Sequence, residues 1–257
     1  MNIIVCIKRV PQTAEADVKI DGSGKDIIKD RLTFDMNESD NYALEEAILI
    51  KEKFGGQITV LSLGPQEAED TLRIALAKGA DSAIRIKVED FGECDGYKTA
   101  QLLGTAIKNL NYDLILTGCM ATDDYYAQVG AVLAELLGIP HATLVTRIEI
   151  NDKKADVQCE LEGGLLAHIE INLPTLMTLQ TGINEPRYAS LIAIRRAASK
   201  EIKVLGKETI SPETIKDNSV IEELFVPPVG KRAEIISGSA NETSVKLAEI
   251  LKEKGLI

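Results

Sequence analysis

The sequence predicts an α/β protein: a doubly wound, mostly parallel, Rossmann-like sheet with a β-hairpin addition and an extended C-terminal tail ending in a helix. Three observations predict it. Short uninterrupted apolar runs, such as Ile3 to Ile7 and Leu114 to Leu116, have the character of strands buried on both faces. Segments with apolar residues at helical spacing separate these runs over the first two-thirds of the chain, as βαβ units require. From about Ile148 the pattern changes to alternation, which marks antiparallel strands.

Each element has its own local reason. Ile3 to Ile7 is the first buried strand. Asn37 to Asp40 supplies N-cap chemistry for a helix with Ala43, Leu44, Ala47 and Ile48 on its inner face, and Gly55-Gly56 stops it. Ile58 to Leu63 is the second core strand, ended by Gly64-Pro65. A helix through Leu72, Ile74, Ala75 and Ala77 closes at Gly79. Ala83 to Ile86 is the third strand, Gly96 to Leu110 the next helix and Leu114 to Gly118 the fourth strand. Ala127 to Leu137 is helical until Gly138 and Pro140. Ile148 to Ile150, Ala155 to Cys159 and Ala167 to Ile171 form the hairpin addition, with turns at Asn151-Asp152-Lys153 and Gly163-Gly164. Thr175 to Leu179 is again an apolar strand. From Glu201 the periodicity weakens, and Ser211-Pro212, Pro227-Pro228 and Gly230 mark an extended tail. Its last element runs from Asn241 to Lys254 with Val245, Ala248 and Leu251 as an apolar stripe. Residues 1–200 are therefore expected to form the α/β domain and residues 201–257 an arm, which either docks on another subunit or folds back.

Composition narrows the function. The 257 residues carry a net charge of −11, which argues against nucleic-acid binding. No run approaches the ~20 apolar residues of a membrane span, and the apolar N-terminus is too short for a signal peptide, so a cytoplasmic protein without membrane insertion is expected. Cys6, Cys94, Cys119 and Cys159 are scattered, mostly within apolar segments, and read as buried reduced thiols. His141 and His168 read as packed or surface residues. With these two histidines and no tight acidic cluster, neither a catalytic group nor a metal site is expected. A Gly-x-Ser-x-Gly elbow and a Walker loop are both missing.

In an open parallel sheet, ligands bind beyond the carboxyl ends of the strands. Cys6 to Arg9, Leu63 to Pro65, Gly118 to Met120 and the segment Asn37 to Asp40 gather there. The loop from Ala121 enters a helix at Ala127-Gln128-Val129-Gly130, whose free amides suit a phosphate. The alternative is an ordinary helix start capped by Asp123 or Asp124. A second polar run, Asn184-Glu185-Pro186-Arg187-Tyr188-Ala189-Ser190-Leu191, follows the strand at Thr175. Pro stiffens it, Arg gives it fixed charge and Leu gives it an apolar tip. That combination suits partner recognition better than bond-making chemistry.

Blocks spread over nearly the whole chain resemble the β subunit of electron transfer flavoproteins. They are Cys6 to Pro11, Asn37 with Ala43 to Ala47, Gly64-Pro65 with Ala75 to Asp81, and Asp123-Asp124 with Ala127 to Gly130. Glu160 to Gly164, Leu173-Pro174 and Asn184 to Tyr188 complete the set. The resemblance implies a heterodimer whose α subunit mainly holds the redox FAD and receives the 201–257 arm. It implies electron transport between acyl-CoA dehydrogenase-type flavoenzymes of fatty acid oxidation and a quinone reductase. The β subunit itself would hold AMP, or a second FAD in electron-bifurcating members that oxidise NADH. Carried over by position, Cys6, Asn37, Leu63, Ala121, Thr122, Asp123, Asp124, Tyr125, Tyr126, Ala127, Gln128, Val129 and Gly130 surround that nucleotide. Asn184 to Tyr188 and Leu191 meet the partner dehydrogenase. Bifurcating members typically carry Asp-Gly-Asp-Thr before Ala-Gln-Val-Gly, whereas this chain has Asp123-Asp124-Tyr125-Tyr126. Two rings there either occlude an isoalloxazine or stack on one. Occlusion, hence AMP, is the expectation. A third reading is a stand-alone nucleotide-binding domain of the adenine nucleotide hydrolase-like fold, which leaves the polar run and the tail without a purpose.

Overall fold

The computed structural model describes residues 1–91, 94–210, 219–228, 230 and 233–257. The chain divides into two units, Met1–Glu222 and Glu223–Ile257. In the first, β1 (Asn2–Cys6) leads into a short antiparallel ribbon, β2 (Arg9–Pro11) and β3 (Phe34–Met36). Then come α1 (Glu38–Phe54), β4 (Gln57–Gly64), α2 (Ala68–Lys78), β5 (Ser82–Lys87), α3 (Gly96–Ile107), β6 (Leu114–Gly118) and α4 (Val129–Leu137). β7 (His141–Asn151), β8 (Lys154–Leu161) and β9 (Leu165–Asn172) form the antiparallel addition. β10 (Thr175–Leu179) returns to the centre, and α5 (Leu191–Ala197) precedes β11 (Ile202–Leu205).

Among the described residues the main sheet has nine strands in the order β11-β5-β4-β1-β6-β10-β7-β8-β9. Every pairing from β11 to β7 is parallel. Parallel strands need cover on both faces, and alternate residues from Ile3 to Ile7 show how it is supplied. Ile3, Val5 and Ile7 join the core under α1 and α2, while Ile4 and Cys6 join the core under α3 and α4. Ile3, Ile4, Leu114, Ile115 and Leu116 are fully buried, each contributing about 1.5–3 kcal/mol by leaving water. The doubly wound sheet and the hairpin addition thus follow from the runs that predicted them.

The structure differs from the sequence reading in three local respects. α4 starts at Val129 rather than at Ala127, because Tyr125 and Ala127 adopt left-handed backbone, with φ of 54° and 53°. α3 ends at Ile107 instead of Leu110. Ile202 to Leu205, expected in the arm, pairs with β5 as the sheet's edge strand, and the first unit continues to Glu222. The turn expected at Ser211-Pro212 lies outside the described residues. In the second unit, α6 (Ala240–Glu253) opens with a reciprocal capping box between Ser239 and Glu242, and none of its residues is buried. Among the described residues no helix is long and apolar enough to cross a membrane.

Candidate functional site

The chain runs from β1 outward through β4 to β5, then crosses to the other side of β1 as β6. This reversal leaves a crevice beyond the carboxyl ends of β1 and β6. Four segments meet there: the end of β1, the first turn of α1, the end of β6 and the loop into α4.

Asp40, in the first turn of α1, is the staple between them. It is 6% exposed. One carboxylate oxygen accepts the Lys8 amide at 2.7 Å and the other accepts the Gly118 amide at 3.0 Å. One side chain therefore fixes the ends of β1 and β6 together. Burial pushes its pKa up to about 6, against the pull of those amides and of the Lys8 charge. Gly118 allows this approach. A Cβ there would stand 2.7 Å from the Ser39 Cβ and 2.8 Å from the Asp40 amide nitrogen, so no larger residue fits.

Asn37 ties down the next stretch. Its amide group donates to the Met120 carbonyl at 2.9 Å, and its side-chain oxygen accepts the Thr122 amide at 3.1 Å. It makes no side-chain cap on α1, although cap chemistry was what the sequence offered there. Lys8 then spans the crevice, donating to Asp123 at 2.7 Å and to Asp124 at 2.9 Å. Burial disfavours the ammonium, but these carboxylates outweigh it and raise its pKa. Asp124 also accepts the Tyr126 amide at 3.1 Å, which holds the left-handed turn before α4.

α4 packs hard against the sheet at Gly130, where a Cβ would stand 3.1 Å from the Thr117 hydroxyl and closer still to the Thr178 methyl. The first amides of α4, having no intrahelical partner, are thereby held at the crevice with the positive end of the helix dipole.

The expected nucleotide residues divide accordingly. Asn37, Ala121, Thr122, Asp123, Asp124 and Gly130 converge on the crevice. The Cys6 thiol packs into the core under α3 and α4, and burial raises its pKa to about 12, so it is a neutral packing group. Leu63 is half-buried against the same core. Tyr125 and Tyr126 are 66% and 50% exposed and stand out from the loop, with Ala127 and Gln128 exposed beside them. Lys8, Asp40 and Gly118 all lay in the segments that the sequence gathers at the strand ends, but none of them was among the expected nucleotide residues, and nothing local marked Asp40 as inward-facing. Among the described residues, no group of three or more His, Cys, Asp or Glu side chains is placed to hold a metal ion.

The loop at 184–190 lies along α1. Asn184 donates to the Tyr42 carbonyl at 3.1 Å and to Glu46 at 2.9 Å. Arg187 donates through its amide and Nε to Glu45 at 2.9–3.0 Å, through its second terminal nitrogen to Glu45 at 2.8 Å, and through the first to Glu52 at 2.6 Å. Tyr188 and Leu191, by contrast, are 98% and 77% exposed, with Ile192 and Ile194 exposed behind them.

A doubly wound sheet with a crevice at its switch point, faced by a helix N-terminus, is the architecture of a nucleotide-binding α/β domain. The comparisons give the particular family. The model of the electron transfer flavoprotein domain matches residues 26–209. The electron transfer flavoprotein subunit beta of Bacillus subtilis is 38% identical over 260 positions that cover all of both chains. That of Methylophilus methylotrophus is 36% identical over 264 positions, 98% of each chain. The caffeyl-CoA reductase-Etf complex subunit CarD of Acetobacterium woodii is 38% identical over 265 positions, again covering both chains fully. The chain belongs to the electron transfer flavoprotein family, as a β subunit, and its role is electron transfer.

Proposed function

We propose that this chain pairs with an electron transfer flavoprotein α subunit and that its crevice holds AMP as a structural nucleotide. The redox FAD belongs mainly to the α subunit. Electrons pass through the pair, in the cytoplasm, between acyl-CoA dehydrogenase-type flavoenzymes and a quinone reductase. Residues 1–200 carry the nucleotide; of the 201–257 segment, Ile202–Leu205 belongs to the sheet and the last helix packs on the α subunit through the Val245, Ala248 and Leu251 stripe. The Asn184–Leu191 loop meets the dehydrogenase with Tyr188 and Leu191 outermost.

The observation that carries the nucleotide reading is the division of labour in the crevice. Asp40 and Asn37 spend their polar atoms on the backbone of Lys8, Gly118, Met120 and Thr122. The side chains thus hold the walls, and the α4 amides remain for an anion. Lys8 is matched by two carboxylates, so the phosphate rests on backbone amides while Asp123 or Asp124 turns to a ribose hydroxyl. The small residues Gly130 and Ala131 let the ligand approach the helix end. AMP is favoured over a dinucleotide because two rings stand on the loop where small residues would leave room for an isoalloxazine.

A second reading has its own support. Tyr125 and Tyr126 are exposed faces on which an isoalloxazine can stack, and a relative of equal similarity is a subunit of a caffeyl-CoA reductase-Etf complex. In that reading the crevice holds a second FAD and the pair bifurcates electrons from NADH. Stopped-flow reduction separates the two. The purified pair should be reduced quickly by an acyl-CoA dehydrogenase charged with its acyl-CoA and only slowly by NADH. Fast reduction by NADH would select the second reading.

A further inference from the structure

We propose that Glu45 is a positioning residue for partner recognition: through Arg187 it locks the 184–190 loop onto α1 and so presents Tyr188 and Leu191 in a single pose. The inference rests on the docking role proposed above for that tip, and it assigns to Arg187 a role inside the protein instead of at the partner.

Between Gly182 and Ala189, among the described residues, the hydrogen bonds that tie the loop to the rest of the fold come from two side chains and one amide. They are the Asn184 amide group, the Arg187 guanidinium and the Arg187 backbone N–H, and all of them end on α1. Glu45 takes most of them. It receives Nε and a terminal nitrogen in fork geometry and also the loop's own amide. Its side chain is 4% exposed while that of Arg187 is 35% exposed, so the carboxylate is out of water and would be left buried without its bidentate, charge-assisted partner if Arg187 were removed.

The guanidinium has its three nitrogens committed to Glu45 and Glu52, and its charge is met by two carboxylates. It therefore has little left to offer a docking surface. Glu52 is 55% exposed, so its pair with Arg187 contributes little and serves as an internal control. Pro186 fixes the backbone just before the strut. One residue beyond it stands Tyr188, almost wholly exposed, and three further on Leu191 opens α5. A tip of this kind binds well only if it is already in the docking pose. The apparent affinity falls by the fraction of time that it is not.

A purely structural pair would affect melting and nothing else. The test therefore uses the co-expressed pair of subunits and an acyl-CoA dehydrogenase reduced by its acyl-CoA as the probe. Hydrogen–deuterium exchange of residues 185–190 is followed alongside. Glu45→Gln removes the charge with little change of volume. Arg187→Lys keeps a charge but loses the fork, and stands in if the buried Gln is not tolerated. Both should raise the KM for the dehydrogenase about tenfold with kcat unchanged, if the loop then holds its pose about a tenth of the time. Exchange at 185–190 should quicken while the β1 and β6 amides keep their rates. Combining the two substitutions should add nothing beyond the larger single effect, because both break one contact. Glu52→Gln should behave as wild type.

A KM unchanged in Glu45→Gln and Arg187→Lys, in a protein where Leu191→Ala does raise it, overturns the positioning role and leaves the docking role standing. If Leu191→Ala also leaves KM unchanged, the docking role has failed and the positioning role with it.

Discussion

Replacing Asp40 by Asn probes the staple on which the crevice depends. In the folded chain this carboxyl titrates near 6, against an ordinary value of 3.8, and burial is the main cause. A raised carboxyl pKa means that the folded state holds the proton more tightly than the unfolded one. The stability it contributes is fully present below pH 3.8 and is lost as pH rises through the folded value. The difference of about two pH units corresponds to about 3 kcal/mol at roughly 1.4 kcal/mol per unit. Asn does not titrate, so that pH dependence vanishes. Its side chain has one accepting oxygen where the carboxylate has two, so the Lys8 or Gly118 amide faces an NH2 group and loses its bond. Below the folded pKa the wild-type carboxyl is protonated and likewise keeps one carbonyl acceptor, so wild type and variant should lie within about 1 kcal/mol of each other near pH 4, and the variant should be the more stable by about 3 kcal/mol at pH 7. Hydrogen exchange at the Lys8 and Gly118 amides reads this directly. After correction for intrinsic rates, the wild-type to variant protection ratio should fall about a hundredfold from pH 4 to pH 7. A ratio that is flat across that range, or that rises with pH, would refute the reasoning.

Three further outcomes follow from the geometry. Gly118→Ala pushes a methyl group into the Ser39 side chain and the Asp40 backbone, and should destabilise by about 1–3 kcal/mol in thermal melting while releasing bound nucleotide. Lys8→Met removes both ion pairs to Asp123 and Asp124. Since the pairs are half-exposed, melting should change little, while proteolysis within 121–128 should become faster. Leu191→Ala should slow electron acceptance from an acyl-CoA dehydrogenase by about tenfold or more, measured by stopped-flow, with flavin content unchanged.

What was legible in the sequence was whatever depended on neighbouring residues. The apolar runs at Ile3, Ile58, Leu114 and Thr175 became strands because a both-sides-buried strand needs an unbroken run. Helix stops at Gly55, Gly79 and Gly138 were equally local. The ribbon of β2 and β3 was missed because each strand has three residues, too few for a period to register. β11 was missed because one side of its pairing is the sheet edge, leaving two of its four residues exposed. The late start of α4 was invisible because its left-handed residues are Tyr125 and Ala127, not glycines. In the site, the crevice walls were placed by topology, but the groups that fix them were not. Asp40 in a first helical turn is usually a dipole partner for its own helix. Glu45 lies beside Leu44 and Ala47 on the inner face of α1, which should be apolar, and the residue that justifies it is 142 positions away.

The nucleotide inventory of the co-expressed pair of subunits tests the central claim most directly. Denaturing release followed by chromatography counts what each pair holds. The account predicts one FAD and one AMP. Two FAD without AMP would contradict the assignment of this crevice, and one FAD with no second nucleotide would contradict the nucleotide reading of the crevice altogether.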